Sequence, residues 1–385
     1  MITNNPNNQI KMPLPETPYF LTALAMLFVP GVYIILILSA LFMIAVGGGV
    51  IYGTIGLMRH HMFNRLMIIP ILIAIGAAMG TFAVLKGIIS TIWRKPSFEP
   101  ALLLDFYKEP KLGAFIAGLC SRVGTRLPDA VILHAEPTFF VTKGKLQVLG
   151  GVANGRVLAI GLPLLAAFSQ NELRAVLAHE LAHFSGKDEK FSAVAYPVYA
   201  GAITTCMEME RWIYEADSLS QKLPLCVPRY ALELYVWLFH ILDMKISRTR
   251  EIRADIIAAN ICGSKSFANG LMKIAGLAGA FMHTATNDLI NKMHNSNPPA
   301  NYHIAFRQAL PHLNGVADTQ LRMAYVKSAS KYDSHPNIPT RLKSLGNVPE
   351  KYQDHIVASA LLTNFEEYEK TLGEYYMALL AMNAS

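Results

Sequence analysis

Between Thr17 and Met58 the chain carries no charged side chain, and apolar residues follow one another without leaving a polar face. A run of that length exceeds the ~20 residues that cross a bilayer core. Pro30-Gly31 divides it. The part before, "YFLTALAMLFV", is too short to cross and reads as interfacial or re-entrant. The part after, Val32 to Met58, reads as a transmembrane helix. A polar turn, "RHHMFNR", leads to a second uncharged span from Leu66 to Leu85. Each span holds a G-x-x-x-G, Gly49 with Gly53 and Gly76 with Gly80, a spacing that lets helices approach closely in lipid. Residues 1–96 are therefore expected to form a membrane-anchoring hairpin, with helices at about 32–58 and 66–85, and residues 97–385 a separate domain.

Beyond residue 96 the pattern changes. "KLGAFIAGLCSRVG" has helical periodicity, and "AVILHA" and "FFVTKGKLQVLGGVANGRVLAIG" read as short strands with glycine turns. From Ser169 onward nearly everything reads as helix, ending in one from Phe365 to Ala381. The expected class is α+β and mostly helical. Two apolar stretches in this half, 191–206 and 223–242, suit either a buried core or entry into the bilayer. The second contains Arg229, Glu233 and His240, which are costly in lipid unless paired.

Composition agrees with a membrane protein: 52% of residues are hydrophobic and 16% charged, against about a quarter charged in ordinary soluble domains. The net charge of +7 is scattered, without a basic block, which argues against nucleic acid as a partner. Lys11, Arg94, Lys95, Lys108 and Lys111 flank the spans on one side and Arg59 and Arg65 on the other, so the large domain is expected in the cytoplasm. The four cysteines lie far apart and suggest neither a disulfide framework nor a metal knuckle.

The chemistry is concentrated in "SQNELRAVLAHELAHFSGKDE", residues 169–189. Ser169 and Glu172 make a capping box, Leu173, Val176, Leu177 and Leu181 supply an apolar face, and Gly186 suits a left-handed stop. On such a helix His179 and His183 project from one face a turn apart, able to grip one metal ion, with Glu180 beside it to handle a proton. The plainer alternative is a pair of hydrogen-bonded histidines on a partly buried helix. A catalytic zinc site usually takes a third protein ligand, and two positions compete for that role. Glu189 stands where an H-E-x-x-H-x-x-G-x-x-H protease carries its third histidine, although the same residues read as a solvated turn. Glu251 and Asp255 lie one turn apart in "EIRADIIAANICG", where like charges weaken an isolated helix unless something binds them. Arg248, Arg250 and Arg253 could neutralise both, so spacing alone leaves the choice open.

"HELAH" followed by "EIRAD" and by "SHPNIPTRLKSL" resembles the HtpX and type I CAAX prenyl endopeptidase family of membrane zinc peptidases. The resemblance runs roughly from Val157 to Leu345 and implies a zincin-like domain with a small sheet. It implies one Zn2+ held by His179, His183 and Glu251, with Glu180 as general base and His335 stabilising the developing oxyanion. It places Asp255, Arg341 and Asp188 in supporting positions, and makes Arg156, Val157, Leu158, Ala159 and Ile160 an edge strand beside which an extended substrate adds. The implied activity is endopeptidase cleavage of polypeptides, misfolded membrane proteins among them, in the bacterial inner membrane. Two alternatives use the same residues: a zinc-binding scaffold without proteolysis, and a hydrolase of small amides or esters.

Overall fold

The computed structural model describes residues 12–15, 19–59, 68–92, 97–185, 188–284, 301–326, 335–346 and 356–384. By its internal contacts the chain forms two compact units, one of residues 18–95 with 190–246, the other of 1–17, 96–189 and 247–385.

Among its described residues the first unit is built of helices. Helices α1 (Tyr19–Met26), α2 (Phe28–Arg59) and α3 (Ile68–Ile92) come from the long uncharged runs. The break falls at Leu27 and not at Pro30-Gly31, which corrects the division read from sequence. Pro30 sits in the first turn of α2, where its missing N–H has no helical partner to lose. Helices α7 (Asp188–Glu215) and α8 (Leu219–Cys262) pack with them. Ala195, Val198, Ala202, Leu232 and Phe239 share a core with Phe28, Val32 and Leu36. Phe28 stacks on Tyr235 and Phe239 at centroid distances of 4.9 and 3.9 Å. The polar groups of 223–242 are paired: Arg229 lies 3.4 Å from both Glu210 and Glu233, and Tyr199 Oη lies 3.2 Å from His240 Nδ1.

Close approach is made by only one of the two glycine pairs. A Cβ on Gly76 would lie 2.5 Å from the Gln221 carbonyl oxygen, and one on Gly80 would strike Met43 and Leu225. Gly49 and Gly53 face open space. Among the described residues three helices are long and apolar enough to cross a membrane, within Phe20–Arg59, Ile68–Lys86 and Leu219–Cys262.

The second unit holds a small sheet. Strands β1 (Ser97–Leu103), β2 (Ala130–His134), β3 (Phe139–Leu149) and β4 (Gly151–Gly161) close into a barrel in the order β1-β2-β4-β3. β3 and β4 form an antiparallel hairpin, with Gly150 in a left-handed conformation at the turn. β4 also runs parallel to β2, pairing Val157 with Ala130 through Gly161 with His134. Arg156 to Ile160 is thus bonded on both sides and buried, so the free edge expected there does not exist. β1, which closes the barrel, was not foreseen; "SFEPALL" has a proline and little alternation.

Helix α4 (Pro110–Val123) packs on α6 (Gln170–His183), which also packs against β3 and α9 (Ser264–Thr284). The predicted capping box starts α6: Ser169 Oγ accepts from Glu172 N at 3.2 Å, and Glu172 Oε2 accepts from Ser169 N at 2.8 Å. Lys273 on α9 donates to the same carboxylate at 2.7 Å. A Cβ on Gly270 would press on Val176, so α6 and α9 touch almost backbone to backbone. The helix ends with Phe184 as its C-cap; Gly186 lies outside the described residues.

Candidate metal centre

His179, Glu180 and His183 all stand on the last two turns of α6. Glu251 and Asp255 stand one turn apart on α8, and His335 and Arg341 flank the start of the short helix Ile338–Ser344. These elements meet around one point in the second unit.

His179 Nε2 and His183 Nε2 lie 3.3 Å apart, with their rings nearly perpendicular. Glu251 presents Oε2 3.6 Å from His179 Nε2 and Oε1 3.4 Å from His183 Nε2. His179, His183 and Glu251 can each offer an atom such that all three lie within 4.8 Å of one another. The donor set fits a metal on spacing as well as on chemistry. A tetrahedral ion with ligand bonds of about 2.0–2.1 Å needs its donors roughly 3.3 Å apart.

The surrounding residues orient these donors. Asp255, fully buried, places Oδ1 2.9 Å from His179 Nδ1, turning the opposite ring nitrogen toward the candidate ion position. Arg341 grips Asp255 through two bonds, Nε to Oδ2 at 2.9 Å and Nη2 to Oδ1 at 2.6 Å. The guanidinium also comes within 3.8 Å of Glu251 Oε2. Phe267, on α9, lies stacked against the His179 ring at 5.4 Å, a wall that no local sequence signal announced.

Electrostatics divide the two imidazoles. Burial disfavours a charge on His179, but bonds to Asp255 and Glu251 outweigh it and lift its pKa to about 9. His183 has burial against it and the His179 charge beside it, and falls to about 4. His183 therefore offers a lone pair at neutral pH, whereas an ion at His179 must displace a proton. Burial raises the Glu180 carboxyl to about 7, opposed by the His179 charge, in the range where a general base both takes and gives a proton near neutrality. His335 is the exposed member. Its Nδ1 lies 2.8 Å from Glu251 Oε2, and that carboxylate raises its pKa above the ordinary histidine value.

Of the residues singled out in the sequence, the structure brings together His179, Glu180, His183, Glu251, Asp255, His335 and Arg341. Asp188 and Glu189 open α7, but their side chains lie outside the described residues. Arg156 makes its contacts at the end of α6 and not at a sheet edge. It bonds the Phe184 carbonyl at 3.3 Å.

The profile of peptidase family M48 matches residues 105–348, which takes in every residue of this centre. Among similar curated proteins, a Protease HtpX homolog of Acidovorax ebreus is 25% identical over 288 residues, covering 68% of this chain and 92% of its own length. A Protease HtpX homolog of Thermococcus kodakarensis is 29% identical over 192 residues, 46% of this chain and 61% of its own. One of Persephonella marina is 30% identical over 176 residues, 44% and 58% respectively. No solved structure gives a significant match. A family profile that spans well over half of the sequence and encloses the converging histidines and carboxylates settles the kinship: the chain belongs to peptidase family M48.

Proposed function

We propose that this protein is a membrane-anchored zinc endopeptidase whose catalytic residue is Glu180, with His179, His183 and Glu251 holding the ion. The observation that carries the reading is the convergence of those three donors with a half-buried carboxyl one residue from the first histidine. Two imidazoles and a carboxylate suit zinc better than the harder divalent ions. A zinc ion held there would supply Lewis acidity, making water easier to ionise at neutral pH and a scissile carbonyl more electrophilic.

The protein's own groups do the remaining work. Glu180, its carboxyl raised by burial, takes a proton from the attacking water and returns it to the leaving amine. His335 has Nδ1 committed to Glu251, which leaves Nε2 to donate to the oxyanion of the substrate. Asp255 and Arg341 hold His179 in the required orientation. Substrates are polypeptides, with misfolded membrane proteins favoured by the apolar helices of the same chain. The distribution of Lys and Arg supports a catalytic domain on the cytoplasmic face of a bacterial inner membrane.

Cleavage of an unfolded model protein by zinc-loaded, detergent-purified wild type, beside Glu180→Gln, tests this. Glu180→Gln should keep the metal and lose at least a hundredfold in rate, as expected for a general base. Zinc binding without cleavage by the wild type would favour a scaffold, and equal cleavage by both would remove Glu180 from the chemistry.

A further inference from the structure

Arg156 is an anomaly of composition. It opens the buried run "RVLAIG" of β4 and is 1% exposed, a placement that costs a cation dearly unless its donors are used. The two terminal nitrogens are used, at the ends of two helices. Nη1 donates to the Arg126 carbonyl at 3.2 Å, just beyond α4. Nη2 donates to Thr125 Oγ1 at 2.6 Å and to the Phe184 carbonyl at 3.3 Å, the C-cap of α6. The guanidinium also lies 4.2 Å over the Phe184 ring, and Thr125 Oγ1 comes within 3.5 Å of the same Phe184 carbonyl.

The last carbonyls of a helix lack partners within it and form the negative end of its dipole, so a cation there steadies the final turn. The final residue of α6 is His183, and the residue held by Arg156 is the next one. His183 is also the more exposed of the two histidines, with 24% of its side chain accessible against 6% for His179. Asp255 fixes the ring of His179. The His183 ring faces the other two donors through Nε2, and the residue that follows it is the one that Arg156 holds.

We propose that Arg156 is a positioning residue for the metal centre: buried between the ends of α4 and α6, it holds Phe184 and thereby sets where His183 presents Nε2. The assignment rests on the metal-centre reading above. It gives a buried strand residue, far from the histidines in sequence, control over one ligand and not over the other.

The test is zinc affinity by chelator competition, on the full chain in detergent, for wild type, Arg156→Gln, Arg156→Lys and Arg307→Gln. Arg307 is the control: it forms an ion pair with buried Glu369 at 2.8 Å and has no part in the centre. Arg156→Gln should weaken zinc binding 10- to 100-fold, the usual effect of losing a group that orients a ligand. Arg156→Lys should recover part of it by keeping the charge without the fork. Arg307→Gln should lower thermal stability and leave zinc affinity unchanged. In a His183→Gln background Arg156→Gln should cost nothing further, because both act on one ligand. Wild-type zinc affinity in a folded Arg156→Gln protein overturns the assignment, as does an additive loss in the His183→Gln background or an equal loss in Arg307→Gln. A wild type that binds no zinc overturns the metal-centre reading itself, and this assignment with it.

Discussion

Replacing Asp255 with Asn separates two jobs that one carboxylate performs. Asp255 is fully buried, neutralises Arg341 through bonds of 2.9 and 2.6 Å, and meets His179 Nδ1 at 2.9 Å. Asn keeps the shape but removes the charge, stranding a guanidinium whose side chain is only 11% exposed. Removing one partner of a buried ion pair costs about 3–5 kcal/mol. Glu251, 3.8 Å from the same guanidinium, offsets part of this, so a loss of about 3 kcal/mol is expected for the metal-free protein. Metal affinity should fall about 10- to 100-fold as the acceptor that orients His179 loses its charge. A second substitution, Arg341→Met, removes the stranded charge. The double variant Asp255→Asn/Arg341→Met should therefore regain most of the stability and none of the metal affinity. The assays are denaturant titration of metal-free protein in detergent and chelator competition with zinc. The reasoning is refuted if the double variant is no more stable than Asp255→Asn, or if Asp255→Asn binds zinc as the wild type does.

Two further predictions concern other parts of the molecule. Gly76→Ala puts a methyl group against the Gln221 backbone and should cost roughly 1–3 kcal/mol, whereas Gly49→Ala meets nothing and should be neutral or slightly stabilising; unfolding midpoints in detergent that moved equally would contradict this. His303, on the helix Tyr302–Ala309, is buried with Nε2 2.7 Å from the Ala135 carbonyl, and burial lowers its pKa from 6.5 to about 4. The unfolded chain therefore binds a proton there that the fold excludes, and stability present above pH 6.5 should be lost between pH 6.5 and 4, by about 3 kcal/mol. His303→Gln should flatten that part of the stability profile, and an unchanged slope would exclude His303 as its source.

What the sequence revealed was mostly local. The capping box, the histidines one turn apart and the Glu251/Asp255 pair all depend on neighbours three or four positions away, so their geometry is written in their spacing. That α8 would bring Glu251 to α6 is not local, and Glu189 could not be set aside by spacing. The edge that the resemblance implied for Arg156 to Ile160 is covered by β2, a parallel partner separated from β4 by the whole of β3, a pairing that no local pattern shows. The strand held a usable clue in Arg156, since a lone cation opening a buried apolar run must have its donors engaged. The cost of Arg229 in an apolar stretch was legible, and its acidic partner Glu210 on α7 was not.

The closed sheet bears on how this membrane metalloprotease survives its own substrates. Unfolded chains expose strands that pair with any open edge, and such pairing readily becomes irreversible. β4 is flanked on both sides from Val157 to Gly161, whereas Phe139–Lys145 of β3 pairs with β4 alone, because β1 joins β3 only from Leu146 onward. A stalled chain thus meets short one-sided lengths of strand among the described residues, and not a whole open edge.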